Sequence, residues 1–417
     1  MSFSSLPPMY RVRQTLEGGE LRDVESEVSG ALDALSALDG VWPGMRIAVT
    51  AGSRGIDRIV EVLRAVVAGL RQRGADPFLV AAMGSHGGAT AAGQLQVLAR
   101  LGITPDSVGA PVHAGAKTVV VGVLDGLPLH CSETAARADG IVLVNRVHPH
   151  TSYQGAYESG LVKMLAVGLG QEAGASLFHG RGVGGLARQV PAMAEVMLRR
   201  LPVLFGVALI ENGFHRLRRI EAVPAGDILE REPVLLEEAR RLRPALPFRE
   251  AHVLVVERMG KDLSGTGMDT QVVGRLGLAG ETDPMEPRVR RIVVLRLSER
   301  SGGSAYGIGL ADVTTLAVIR AMDPDVTRSN ALASTFVERA RMPLAFASDR
   351  EAIFAAAATC GYPEPGTLRM ARIRDTLSLS ELWVSGSLLE GRSREVEVVE
   401  GPVPWPFDEE GNLPLVV

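Results

Sequence analysis

What most constrains this chain is a rhythm of short apolar runs, each followed by a glycine-bearing loop and then by residues at helical spacing. Apolar runs at residues 46–50, 77–82, 118–123, 140–145, 203–210, 253–256, 292–297 and 343–347 are predicted to be buried strands. Helical spacing follows over 56–73, 94–101, 159–169, 190–201, 228–243, 311–322 and 350–359. Consecutive apolar positions suit a strand covered on both faces, and a helix between two strands returns the second parallel to the first. The predicted fold class is α/β, with largely parallel sheets.

Length then divides the chain. At 417 residues it exceeds one comfortable core, since single cores stop growing at roughly 250–300 residues. Two α/β domains are expected, residues 1–248 and 249–417, with the active site in the cleft between them. The charged stretch 228–243 reads as a solvated connecting helix, and Pro244 and Pro247 then lead into a new strand. The proline-bearing end, Glu400 to Val417, reads as an extended tail over the surface.

Composition excludes several classes. A net charge of -4 with 22% charged residues offers no basic excess for nucleic acid or an anionic membrane. Cys131 and Cys360 are the only cysteines, too few for a disulfide framework or a four-cysteine metal site, which fits a reducing compartment. Met1 to Tyr10 lacks the apolar segment of a leader, and no apolar run is long enough to span a membrane. A cytoplasmic protein is expected, with its oligomeric state open.

In parallel sheets ligands sit beyond the carboxyl ends of the strands, so polar residues in post-strand loops are the first candidates. Four loops stand out: residues 51–55 with Arg54, 83–88 with His86, 145–150 with Arg146, His148 and His150, and 259–267 with Lys261. Arg54 offers a planar fork for a carboxylate and Lys261 a point charge. His86 with His148 or His150 could take and return a proton near neutrality. Lys163, among apolar neighbours at a helix start, has the setting for a lowered pKa, and His179 follows 16 positions later. The turn at Ser159 and Gly160 could turn backbone N–H groups toward a phosphate. Each residue also has a plainer reading. Arg54 could pair with a surface carboxylate, His86 could be structural, and Lys163 and Lys261 could be solvated. His148 and His150, with His179, could be part of a zinc site.

At these residues the chain resembles the lactate racemase superfamily, the nickel-pincer nucleotide-dependent 2-hydroxy acid racemases and epimerases. The likeness runs loop by loop over most of the length. It implies that Arg54 binds the substrate carboxylate and that Gly84-Ser85-His86-Gly87 carries the first catalytic histidine. Asn145-Arg146-Val147-His148-Pro149-His150 would carry the second, with His150 preferred to His148. It further implies a cofactor, pyridinium-3,5-bisthiocarboxylic acid mononucleotide with nickel, tethered covalently through Lys163. His179 would be a nickel ligand and Lys261 a substrate-binding residue. Residues 1–248 would then be the cofactor-binding and catalytic domain, and the cofactor-biosynthesis enzymes would be partners. The implied activity is racemisation or epimerisation of a small 2-hydroxy acid by reversible hydride transfer from C2, with histidine acid/base catalysis.

Two departures mark a divergent branch. Ala51 stands where lactate racemase has an acidic residue before the arginine, and the stretch from His150 to Lys163 is about three residues longer. A cofactor-free binding or sensing protein and a zinc-dependent hydrolase are the alternatives.

Overall fold

A computed structural model of the chain describes residues 5–179, 182–361 and 365–414, with the side chains of 178, 179, 182–186 and 365 also outside the description. The chain forms two compact units, Glu17–Arg243 and Met1–Leu16 with Pro244–Val417. Both are α/β, with mostly parallel sheets and interleaved helices.

The first strand corrects one expectation. The sequence places residues 1–16 with the N-terminal domain, but β1 (Met9–Gln14) pairs antiparallel within the C-terminal sheet. Its buried residues, Met9, Val12 and Gln14, are spaced unevenly and interleaved with arginines, so no apolar run announces it.

In the N-terminal unit the strands are β2 (Arg46–Ala51), β3 (Asp76–Ala81), β4 (Val112–His113), β5 (Thr118–Leu124), β6 (Leu127–Ser132), β7 (Gly140–Arg146), β8 (Val203–Glu211) and β9 (Leu217–Pro224). Six of them form a sheet in the order β4-β3-β2-β7-β8-β9, parallel except for the β8/β9 pair. Ile47, Val49, Val142, Val144, Phe205 and Val207 pack there against Val62, Leu63, Val66 and Leu70 of the helix Ile59–Gln72. The run at 118–123 is not a strand of this sheet. It pairs with β6 in a separate antiparallel hairpin, turned at Asp125 and Gly126, both at positive φ, and leaves Val120 and Val123 exposed.

The C-terminal unit adds β10 (Glu250–Met259), β11 (Arg288–Leu297), β12 (Val313–Thr315), β13 (Leu344–Phe346), β14 (Met370–Ile373), β15 (Glu381–Ser385) and β16 (Val396–Val403). The order is β13-β12-β11-β10-β14-β15-β1-β16, parallel from β13 to β14 and antiparallel beyond. Leu254 and Val256 face one core and Val253 and Val255 the other, which explains the unbroken apolar run of β10.

Other expectations shift locally. Residues 311–322 divide into β12 and the helix Leu316–Ala321. The tail is tied down rather than draped: β16 joins the sheet edge, Trp405 Nε1 donates to the Pro7 carbonyl at 3.1 Å, and Leu413 is buried. The stretch 228–243 is an amphipathic helix, Ile228–Leu242, with Ile228, Glu232, Leu235, Leu236, Ala239 and Leu242 buried on one stripe.

Candidate active site

Both sheets reverse their winding at a strand that bears a candidate residue. From β2 the chain proceeds to β3 and β4 on one side, while β7 and β8 lie on the other. At such a reversal the loops leaving adjacent strand ends diverge and open a crevice. Arg54 leaves β2 there and His148 and His150 leave β7. In the other unit β10 stands between β11 and β14 in the same way, and Lys261 leaves its end with Nζ hydrogen-bonded to Asn330 Oδ1.

The loops after β2 and β3 touch, because these strands run in parallel register from Arg46↔Asp76 to Ala51↔Ala81. Ser53 Oγ meets Nδ1 of His86 across that gap. The His86 turn depends on glycine. Gly87 has φ +69°, and a Cβ there would lie 2.6 Å from the backbone of Gly93 and Gln94.

The segment after β7 is an excursion closed at its base. His148 N–H donates to the Ser159 carbonyl at 2.8 Å and Ser159 N–H returns the bond at 3.2 Å. Inside the loop the carboxylate of Glu158, 1% exposed, accepts from the N–H groups of His150 and Gly155 and pairs with Arg240. Tyr153 is buried with its hydroxyl donating to the Glu158 carbonyl at 3.0 Å. Its ring carries the His150 ring at 4.4 Å between centroids and the Lys163 ammonium at 5.7 Å from the centroid. One aromatic wall thus brings His150 and Lys163 together. His150 Nδ1 accepts from Ser152 N–H at 3.0 Å, so in the neutral ring the proton resides on Nε2.

Electrostatics bind Arg54, His148 and Lys163 into the same cluster. Burial and the neighbouring Arg54 lower the Lys163 amine to about 7, while Glu158 pulls the other way. Burial, then Arg146, Lys163, Arg243 and Arg54, hold His148 well below the usual imidazole range, so it is neutral at pH 7. Arg54 is brought down to about 10 by surrounding protein and by Arg146. It is an exposed residue overall, so water screens part of that effect and it stays protonated at neutral pH. Arg146 is committed elsewhere, to Glu211, which also accepts from Asp57 N–H at 2.8 Å.

At Ser159 and Gly160 the structure departs from expectation. The helical turn begins at Leu161 rather than at residue 159 and widens into a π-helix at Met164–Gly168. Its Val162 N–H is already taken, at 2.8 Å, by Oε2 of the buried Glu232. A carboxylate therefore occupies the place expected for a phosphate.

The candidate histidines and the lysine are readable as polar residues in post-strand loops or at a helix start. Ser53, Tyr153, Glu158 and Glu232 were not, being a loop serine, an aromatic inside an irregular excursion and two buried acids. Glu232 did carry a signal: it falls on the apolar stripe of its helix, where an acid is out of place. His179 ends the helix Gln171–His179, and its side chain lies outside the described residues. Among the described residues no group of three or more His, Cys, Asp or Glu is arranged to hold a metal, and no helix is long and apolar enough to cross a membrane.

No protein-family model matches the sequence, and no curated protein does. Among solved structures the chain matches the lactate racemase apoprotein from Thermoanaerobacterium thermosaccharolyticum, with a TM-score of 0.55 over 89% of this chain and 99% of that one. The chain has the lactate racemase fold. Identity between the two is 14%, so the likeness is one of backbone. The lactate racemase fold embraces both units; Arg54, His148 and His150 leave strands at the winding reversal of one sheet and Lys261 at that of the other.

Proposed function

We propose that the chain is a cytoplasmic isomerase, a racemase or epimerase of a small 2-hydroxy acid that works with a nickel-pincer nucleotide tethered through Lys163. The observation that carries this reading is the Lys163 amine, half-buried beside the Tyr153 ring with a pKa lowered to about 7. A covalent tether through nitrogen needs an amine that is substantially neutral near pH 7, and an ordinary lysine is protonated there. The residues present fit the group on that ground. When bound, it would supply the hydride acceptor for C2 of the substrate.

The chain's own residues have the remaining tasks. Arg54 would hold the substrate carboxylate through a bidentate pair, with Lys261 as a second cation for the substrate. His150 would exchange the hydroxyl proton at Nε2, since Nδ1 is occupied by Ser152 N–H. His86, steadied at Nδ1 by Ser53, would serve the opposite face. His148 suits a supporting role, because a ring kept neutral by burial and, after that, by four nearby cationic side chains is a poor proton donor. His179 is proposed as the nickel ligand, imidazole being a good donor for that metal. The enzymes that make the cofactor would be the chain's partners.

The test is inversion of a panel of D- and L-2-hydroxy acids by protein co-expressed with the cofactor-making enzymes. Inversion of at least one acid, abolished in His86→Ala, is expected. A loaded protein that inverts none, or a His86→Ala protein with the native rate, contradicts the proposal.

A further inference from the structure

Glu232 is an acid with no part in the reaction proposed above, yet from the helix Ile228–Leu242 it is held at 1% exposure against the first turn of the lysine-bearing segment. Burying a carboxylate is costly unless its oxygens are satisfied. Here Oε2 accepts from Val162 N–H at 2.8 Å and the Leu161 N–H also favours the ionised carboxyl, while Oε1 is buried with no hydrogen bond of good geometry among the described residues. An arrangement that leaves a buried oxygen unsatisfied calls for a reason beyond stability.

Three further observations tie this carboxylate to the placement of Lys163. Gly160 is pressed against it, and a Cβ on that glycine would lie 2.5–2.7 Å from its carboxyl atoms. Asn145 Nδ2, at the end of β7, holds the Gly160 carbonyl at 2.8 Å. Pro233, next to Glu232, has no N–H for the Leu229 carbonyl one turn back, and the Tyr157 hydroxyl donates to that carbonyl instead, at 2.6 Å. The helix Ile228–Leu242 therefore grips the segment Tyr157–Val162 at two adjacent points, and Lys163 is the next residue.

Resting on the proposed role of the lysine, we propose that Glu232 is a positioning residue: its buried carboxylate fixes the Gly160–Val162 turn and so aims the Lys163 amine at the Tyr153 face beside Arg54. Burial raises Glu232 to about 7, so the carboxyl is only partly ionised at neutrality, and an accepting oxygen for Val162 N–H survives in either form. The amine feels Arg54 from the β2 loop, Glu158 from the excursion, and shares its surroundings with His148. Glu232 itself faces the Val162 and Leu161 N–H groups and lies near the hydroxyls of Tyr153 and Tyr157. Its effect on Lys163 is therefore through the backbone rather than through charge.

The chain makes this testable without cofactor or substrate, since its only lysines are Lys117, Lys163 and Lys261. Full-length protein is acylated with limiting acetic anhydride across a range of pH, and the Lys163 peptide is quantified by mass against the exposed Lys117. In Glu232→Ala the midpoint of Lys163 acylation should rise by at least about one pH unit, so that its rate near neutrality falls at least about fivefold relative to Lys117. Glu232→Gln, which keeps an acceptor oxygen for Val162, should restore the native midpoint. A Glu232→Ala midpoint unchanged from the native one overturns the inference, whatever happens to the absolute rate. Should Glu232→Ala lose cooperative melting, Glu232→Asp takes its place, with the shorter reach predicted to raise the midpoint and a native midpoint again overturning it. Because acylation needs no turnover, a chain that proves not to be an isomerase would leave this result standing on its own.

Discussion

Where a cation alone suffices, this chain uses arginine: of 44 basic residues only three are lysines. Arginine stays protonated throughout the physiological range, whereas a lysine can be made to give up its proton. Lys163 is placed to do so. Its amine titrates near 7 when folded against 10.5 for the ordinary group, so between those values the unfolded chain binds more protons and native stability rises with pH. Lys163→Met should therefore stabilise the chain without cofactor by about 1–2 kcal/mol near neutrality, a figure discounted for the part of Lys163 left in water. That gain should be largest below about pH 7 and vanish above about pH 10.5. Denaturant midpoints measured across that window check it, and a gain independent of pH contradicts the lowered amine. Lys163 could be read from sequence because an amine among apolar neighbours is conspicuous. Tyr153 and Glu158 could not, since their roles arise only when the excursion closes at His148 and Ser159 and no spacing rule reports such a closure.

At the scale of elements, the lysine segment is held by packing that tolerates little. Gly160 has an extended backbone that any residue adopts, so its requirement is for space and not for φ. Gly160→Ala would drive a methyl into a carboxylate fixed by Val162 N–H and should cost about 1–3 kcal/mol of stability in chemical denaturation. A loss below experimental error would mean that Glu232 moves aside freely. Tyr157→Phe removes the donor that replaces the missing N–H of Pro233, and leaving the Leu229 carbonyl unpaired should cost about 1–3 kcal/mol, read in the same way. The elements most readable in the sequence were the strands buried on both faces, such as β2 and β10, whose apolar runs admit few other readings. The hairpin of β5 and β6 was missed as a hairpin despite its Asp125-Gly126 turn. The helix Ile228–Leu242 reads as solvated because its seven charged residues match its seven apolar ones in number, although five of the apolar ones align on a single buried stripe.

Considered as a whole molecule, the chain is not divided by a single cut, for β1 is inserted between β15 and β16. That pairing joins residues more than 350 positions apart, such as Met9↔Ser385, and a local reading of sequence has no access to it. Deleting residues 1–16 should remove about 3–6 kcal/mol through Val12 and Met9 alone, comparable to the whole stability of many domains. Limited proteolysis should then degrade the C-terminal unit, and a resistant fragment beginning near Pro244 would show β1 to be dispensable. Whether Lys163 carries a covalently bound nickel nucleotide is read from the intact mass and nickel content of protein co-expressed with the cofactor-making enzymes. An added mass mapping to the Lys163 peptide is expected, with about one nickel per chain, both lost in Lys163→Ala. A native protein of unmodified mass, or an adduct that survives the substitution, would contradict it.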